Sequence, residues 1–182
     1  KATAKRNDIM TKEFEQRQSH DVLVVMDCVP DPHFEPIVSF TASLLRAIIK
    51  KGAQTGFLTN NEERASFSIR GGDRQLQQLF YHLAKIQPKG NRSLDKVLDL
   101  KQLNQQSVSL MLVTAQLTTE LVEKASFLGQ KNGSVTIFLL KGEEEMPTKV
   151  ERSLKSTAFA RGVRIILIHE GHFESAFSEV RI

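Results

Sequence analysis

The chain alternates between short unbroken apolar runs and longer stretches in which apolar residues recur every three or four positions. Val22–Met26, Leu110–Val113, Val135–Leu140 and Val163–Ile168 are runs of the first kind. A strand apolar on both faces is one covered by helices on both sides, as in a parallel sheet. Between these runs, Ile37, Val38, Thr41, Leu44, Leu45 and Ile48 form a helical stripe, with Pro36 suited to a first turn. Leu76, Leu79, Phe80, Leu83 and Ile86 repeat that stripe after Gly71-Gly72-Asp73, and Pro88 and Gly90 end it. Leu121, Val122, Ala125 and Leu128 predict a third helix, stopped near Gly129 or Gly133. Val150, Leu154 and Phe159 predict a fourth, ended by Gly162.

After the first helix the period shortens. Gln54–Thr59 and Ala65–Ile69 are β-prone segments separated by Asn60-Asn61-Glu62-Glu63-Arg64, a hairpin signal that places one antiparallel strand at the edge of the sheet. A short helix is expected near Ser93–Leu100. The order predicts an α/β fold, a doubly wound, mostly parallel six-stranded sheet in the order 3-2-1-4-5-6. It occupies residues 21–182 as one domain without internal repeats. Residues 1–20 read as an arm, with Ile9–Phe14 as a further strand or a lead-in, and Glu143-Glu144-Glu145 as a solvated loop. Ligands of such sheets bind beyond the carboxyl ends of the strands, where Asp27 and Asp31 fall.

Composition narrows the function. The 182 residues suffice for one domain with a substantial core. The 25 basic residues are interleaved with 21 acidic ones, and a net charge of +4 without Lys/Arg runs argues against nucleic-acid binding. In the arm, Lys1, Lys5, Arg6, Lys12 and Arg17 are mixed with Asp8, Glu13 and Glu15, as expected of a solvated segment. The lone cysteine, Cys28, excludes an internal disulfide and a cysteine zinc site, and reads as a small buried side chain. No apolar run approaches the roughly 20 residues that cross a bilayer. The opening on Lys1, inside a polar stretch, reads as a piece of a longer protein.

Catalytic signatures are missing from the sequence. His169-Glu170-Gly171-His172 lacks the i, i+4 histidine spacing of a zinc protease helix and reads as a turn. His20, His33 and His82 are scattered with no partner pattern. Neither a nucleophile elbow, a glycine fingerprint nor a P-loop follows a strand. Arg70-Gly71-Gly72-Asp73 reads as a turn feeding a helix N-cap.

A parallel sheet whose first strand ends in Asp, with a hairpin in its first half, resembles the von Willebrand factor A fold. Lys1-Ala2-Thr3-Ala4-Lys5-Arg6 and Met10-Thr11-Lys12-Glu13-Phe14-Glu15, just ahead of that strand, resemble the domain-of-unknown-function 58 family. The resemblance implies a bacterial or archaeal parent with transmembrane helices and a β-rich segment ahead of this domain. It implies a cytoplasmic-facing interaction module encoded beside, and working with, a MoxR-type AAA+ ATPase.

Metal-binding members of this fold use Asp-x-Ser-x-Ser at the first strand, a Thr from a second loop and an Asp after the fourth core strand. Mg²⁺ demands an octahedron of hard oxygens, which hydroxyls and waters complete. Here Asp27 fills the first position, Val29 and Asp31 replace the serines, and Ala115 stands where the Asp belongs, beside Thr114 and Gln116. Near the expected Thr stand Asn91, Arg92 and Ser93, and Arg92 would repel a cation. The expected site is therefore degenerate at Asp27, Asp31, Ser93 and Thr114: no cofactor, or Mg²⁺ held weakly. Asp27 is then a residue that caps backbone amides or pairs with Arg92. The expected function is a non-catalytic protein contact through Asp27, Asp31, Asn91, Arg92, Ser93, Thr114 and Gln116. The alternatives are a metal-dependent α/β enzyme using Asp27 and Asp31, and a module that oligomerises through its edge strand.

Overall fold

The apolar runs become a single sheet. A computed structural model describes residues 21–61, 65–98, 108–173 and Phe177, so the arm over residues 1–20 lies outside the described residues. In chain order the elements are β1 (Val22–Met26), α1 (Phe34–Lys50), β2 (Thr55–Thr59), β3 (Ser66–Arg70), α2 (Asp73–Leu83), α3 (Leu94–Val97), β4 (Ser109–Thr114), α4 (Thr119–Asn132), β5 (Val135–Lys141), α5 (Lys149–Ala160) and β6 (Val163–His169). The sheet has 6 strands in the order β3-β2-β1-β4-β5-β6. Among the described residues only β3 runs antiparallel, against β2, at the edge. This is the expected topology.

Because side chains alternate along a strand, β1 feeds two cores at once. Val22, Val24 and Met26 pack with α1 and α2 on one face, around Phe40, Leu44, Leu45, Ile48 and Leu79. Leu23 and Val25 pack on the other, with Leu94, Leu121, Leu128 and Ala158 of α3, α4 and α5. β1, β4 and β5 are thus covered on both sides, as their unbroken apolar runs require, and β2 is buried along its whole length beside them. Phe40 anchors the first core, its ring 5.0 Å from that of Phe138 on β5 and stacked on Phe177 at 5.8 Å.

The fourth helix forms where its stripe predicts, but only Leu154 of that stripe faces the core. Val150 and Phe159 are 66% and 82% exposed, and α5 turns Glu151 and Ala158 inward beside Leu154. These residues share one face, at spacings of three and four. Glu151 earns that place through a buried cation on β5, described below, and a capping box with Thr148: Glu151 N–H donates to Thr148 Oγ1 at 3.1 Å and Thr148 N–H to Glu151 Oε2 at 2.8 Å. Phe80 likewise lies at the margin of the α2 stripe, 36% exposed.

Phe40→Ala removes a fully buried ring from between α1 and β5, and is expected to cost about 3–5 kcal/mol. A urea-denaturation midpoint close to wild type would contradict this packing.

Candidate functional site

The site begins with register. Met26, the last residue of β1, is level with Thr59 of β2 and Val113 of β4. The next residues along the chain, Asp27 after β1, Asn60 after β2 and Thr114 at the end of β4, therefore stand in one row along the carboxyl rim. All are buried: Asp27 is 8% exposed, Asn60 1% and Thr114 0%.

The Asp27 carboxylate joins this row. Its Oδ1 accepts from the Asn60 side-chain amide at 2.7 Å and from Val29 N–H at 3.1 Å, and its Oδ2 accepts from the Thr114 hydroxyl at 2.8 Å. Asn60 is spent on both sides. Its amide nitrogen also donates to the Arg92 carbonyl at 2.8 Å, and its oxygen accepts from Cys28 N–H at 2.5 Å. Gly90 closes the arrangement, its N–H donating to the Cys28 carbonyl at 2.7 Å. A Cβ on Gly90 would lie 2.6 Å from the backbone of Cys28 and Val29, so the approach is open to glycine alone. Burial and the neighbouring Asp27 charge push the Cys28 thiol up to about 12, which keeps it protonated and unreactive.

A second network binds the loops after β1, β4 and β5. Asp31 Oδ1 accepts from the His33 backbone N–H and faces the ring Nδ1, both at 2.8 Å, and its Oδ2 accepts from Gln116 at 3.2 Å. The other His33 nitrogen lies 2.8 Å from Glu145. Lys141, nearly buried at the end of β5, reaches Glu151 at 2.7 Å and Glu145 at 3.2 Å. His169 Nδ1 lies 2.9 Å from the Gly142 carbonyl.

These groups titrate as partners. Burial would raise the Asp31 carboxyl, but the His33 and Gln116 hydrogen bonds outweigh it and hold it low. The Gly142 N–H and Lys141 lower Glu145 against a smaller burial effect. Burial opposes the ionised forms of Glu151 and Lys141, yet their mutual contact wins, lowering Glu151 and raising Lys141.

The residues picked out from the sequence do gather on one rim, in two layers. Asp27 and Thr114 lie buried below, while Asn91, Arg92, Ser93 and Gln116 are exposed above, with Asp31 half-buried between them. Asp27 does cap a backbone amide, that of Val29, but the side chain it meets is Asn60, and Arg92 joins through its backbone carbonyl. Asn60, read from the sequence as the start of a hairpin turn, belongs to the rim. His33 has partners after all, and Glu145 is drawn out of the acidic run into the network. The one signal for Asn60 is its place directly after a strand, the position it shares with Asp27.

As donors for Mg²⁺ these residues fit poorly. Both Asp27 oxygens already accept from N–H or O–H groups, and Val29 and Ala115 carry no side-chain oxygen. Among the described residues, no three His, Cys, Asp or Glu side chains gather as a metal cluster.

Sheet order and rim define a von Willebrand A-like domain. The crystal structure of the SpRpn10 VWA domain matches with a TM-score of 0.60 at 10% identity, covering 88% of this chain and 95% of that one. That of the conserved hypothetical protein BatB from Bacteroides thetaiotaomicron matches at 0.59 and 11%, covering 87% and 96%. An aerotolerance-related membrane protein from Bacteroides fragilis NCTC 9343, with multiple mutations to serines, matches at 0.58 and 12%, covering 88% and 96%. At such identities the likeness concerns the fold. The chain belongs to the family described as protein of unknown function DUF58, whose profile matches residues 1–167. It is 28% identical over 173 residues to the uncharacterized protein YeaD of Bacillus subtilis (strain 168), covering 94% of this chain and 43% of that protein's length.

Gly90→Ala is expected to destabilise the domain by about 1–3 kcal/mol, because the clash is with backbone. An unchanged denaturation midpoint would show that the rim yields. The network also sets a pH response. Asp31, Glu145 and Glu151 have lowered folded values, so their contribution is complete above the ordinary carboxylate range and is lost as pH falls through those values. Lys141 is raised, so its contribution is complete below the ordinary lysine range and lost as pH rises through its folded value. Urea midpoints should form a plateau across neutral pH and fall on either side, and Lys141→Met should flatten the acid limb. An equally steep acid limb in that variant would remove the network from the account.

Proposed function

We propose that this domain is a non-catalytic protein-interaction module of a larger, membrane-tethered bacterial protein, working with a MoxR-type AAA+ ATPase. The carrying observation is the division of the rim into a buried layer spent on holding loops and an exposed polar layer above it. Asp27, Asn60 and Thr114 serve the first, and Asn91, Arg92, Ser93 and Gln116 offer the second. A carboxylate occupied by backbone and side-chain donors is a poor base or nucleophile, and Cys28 is held as a thiol. These features favour recognition over turnover, and the reading calls for neither cofactor nor nucleic acid.

The membrane tether is proposed from similarity. The chain spans 43% of the length of YeaD, and one of the structural matches bears the name of a membrane protein. No helix among the described residues is long and apolar enough to cross a membrane. On this reading the tether belongs to other parts of the parent, and the domain faces the cytoplasm.

The test is capture of a MoxR-type ATPase encoded in the same genome. Asp27 is unsuitable for charge reversal, since its loss would release the loops. Arg92→Glu combined with Gln116→Lys leaves the buried row of Asp27, Asn60 and Thr114 untouched, changing beneath the surface only the Gln116 contact to Asp31, and is expected to weaken capture about 10-fold or more, with an unchanged circular dichroism spectrum. Undiminished capture by that variant would exclude this face.

A further inference from the structure

We propose that the Asn60 carboxamide does, without an ion, the cross-linking work that a divalent cation does in metal-binding domains of this fold, and so holds the rim. A cation in such a site gathers oxygens from separate loops. Here the amide nitrogen does so, pointing its two N–H groups at Asp27 Oδ1, 2.7 Å away, and at the Arg92 carbonyl, 2.8 Å away. The amide oxygen adds a contact to Cys28 N–H that a cation would repel. Asn60 is 1% exposed, so water does not compete for these bonds.

The surroundings agree with this assignment. Thr114 donates its proton to Asp27, and Val29 contributes a backbone N–H where a hydroxyl would be needed. Donors thus converge on Asp27, where a metal site would need further acceptors. Asn60 is a positioning residue: it ties the loop after β1 to the loop that carries Asn91, Arg92 and Ser93. The exposed layer is therefore ordered without an ion, whatever partner meets it.

The isosteric change Asn60→Asp tests the idea directly. It would replace the N–H donor by an oxygen 2.7 Å from Asp27, a carboxylate pair that requires a proton or a cation between its members. Thermal unfolding of the 182-residue chain is measured at pH 7 in EDTA, in millimolar Mg²⁺ or Mn²⁺, and at pH 5 against wild type at the same pH. Wild type should unfold at the same temperature with and without the ion. Asn60→Ala should lose about 5–10 °C in every condition. Asn60→Asp should lose as much at pH 7 in EDTA and regain most of it with the ion or at pH 5. If that variant does not fold in EDTA, its refolding yield with and without the ion answers the same question. A rise of more than about 2 °C on adding ion to wild type would overturn the proposal. So would an Asn60→Ala variant as stable as wild type, or an Asn60→Asp variant that neither proton nor ion restores. Since the readout is the domain's own unfolding, a failed ATPase capture leaves this result untouched, and the reverse also holds.

Discussion

The rim depends on one hydrogen-bonded carboxylate. Parallel strands β1 and β2 end level with one another, β4 runs one residue farther to Thr114, and each then hands the chain to a loop at the same rim. Left to themselves, those loops would diverge, since the ladder no longer pairs their backbones. Asp27 prevents this by accepting from Asn60 on one side and Thr114 on the other. The bonds are buried, so losing one partner would strand another group away from water, which is costlier than losing a surface bond.

Charge does the equivalent work farther along the sheet. Lys141 sits almost buried among Glu145 and Glu151, and the ion pair with Glu151 fixes which face of α5 turns inward. Buried pairs of this kind contribute little net stability against an apolar substitute, yet breaking one is expensive. Their consequence here is orientation: α5 shows Val150 and Phe159 to solvent and keeps a carboxylate inside. His33 carries the network back to the first loop by standing between Asp31 and Glu145.

Together the clasp and the ion network make a firm base beneath an exposed polar layer. Such a base suits recognition, because binding need not order the loops it uses. It also separates roles that a linear list of loop residues merges. Asp27 and Thr114 are buried and hold the loops, whereas the Arg92 and Gln116 side chains stand exposed above them, Gln116 reaching back to Asp31.

The strand order, the antiparallel edge and the placement of a loop rim at the carboxyl ends were legible in the sequence, because they follow from local periodicity and from general rules of chain crossover. Asp27 and Asp31 were legible for the same reason, as carboxylates in the loop beyond the first apolar run, and Thr114 and Gln116 through the resemblance to metal-binding domains of this fold. Which side chain each would meet was not. Asn60 meets a carboxylate 33 positions away, Thr114 one 87 positions away, and His33 a glutamate inside an acidic run that reads as mere solvation. Nor did hydropathy reveal that α5 would bury Glu151 and expose Phe159, since that choice rests on a lysine from a neighbouring strand. The sequence by itself determined the elements and their order through short-range patterns. Only the tertiary structure decided the partners, because those bonds form between residues that come together after the sheet has set its register.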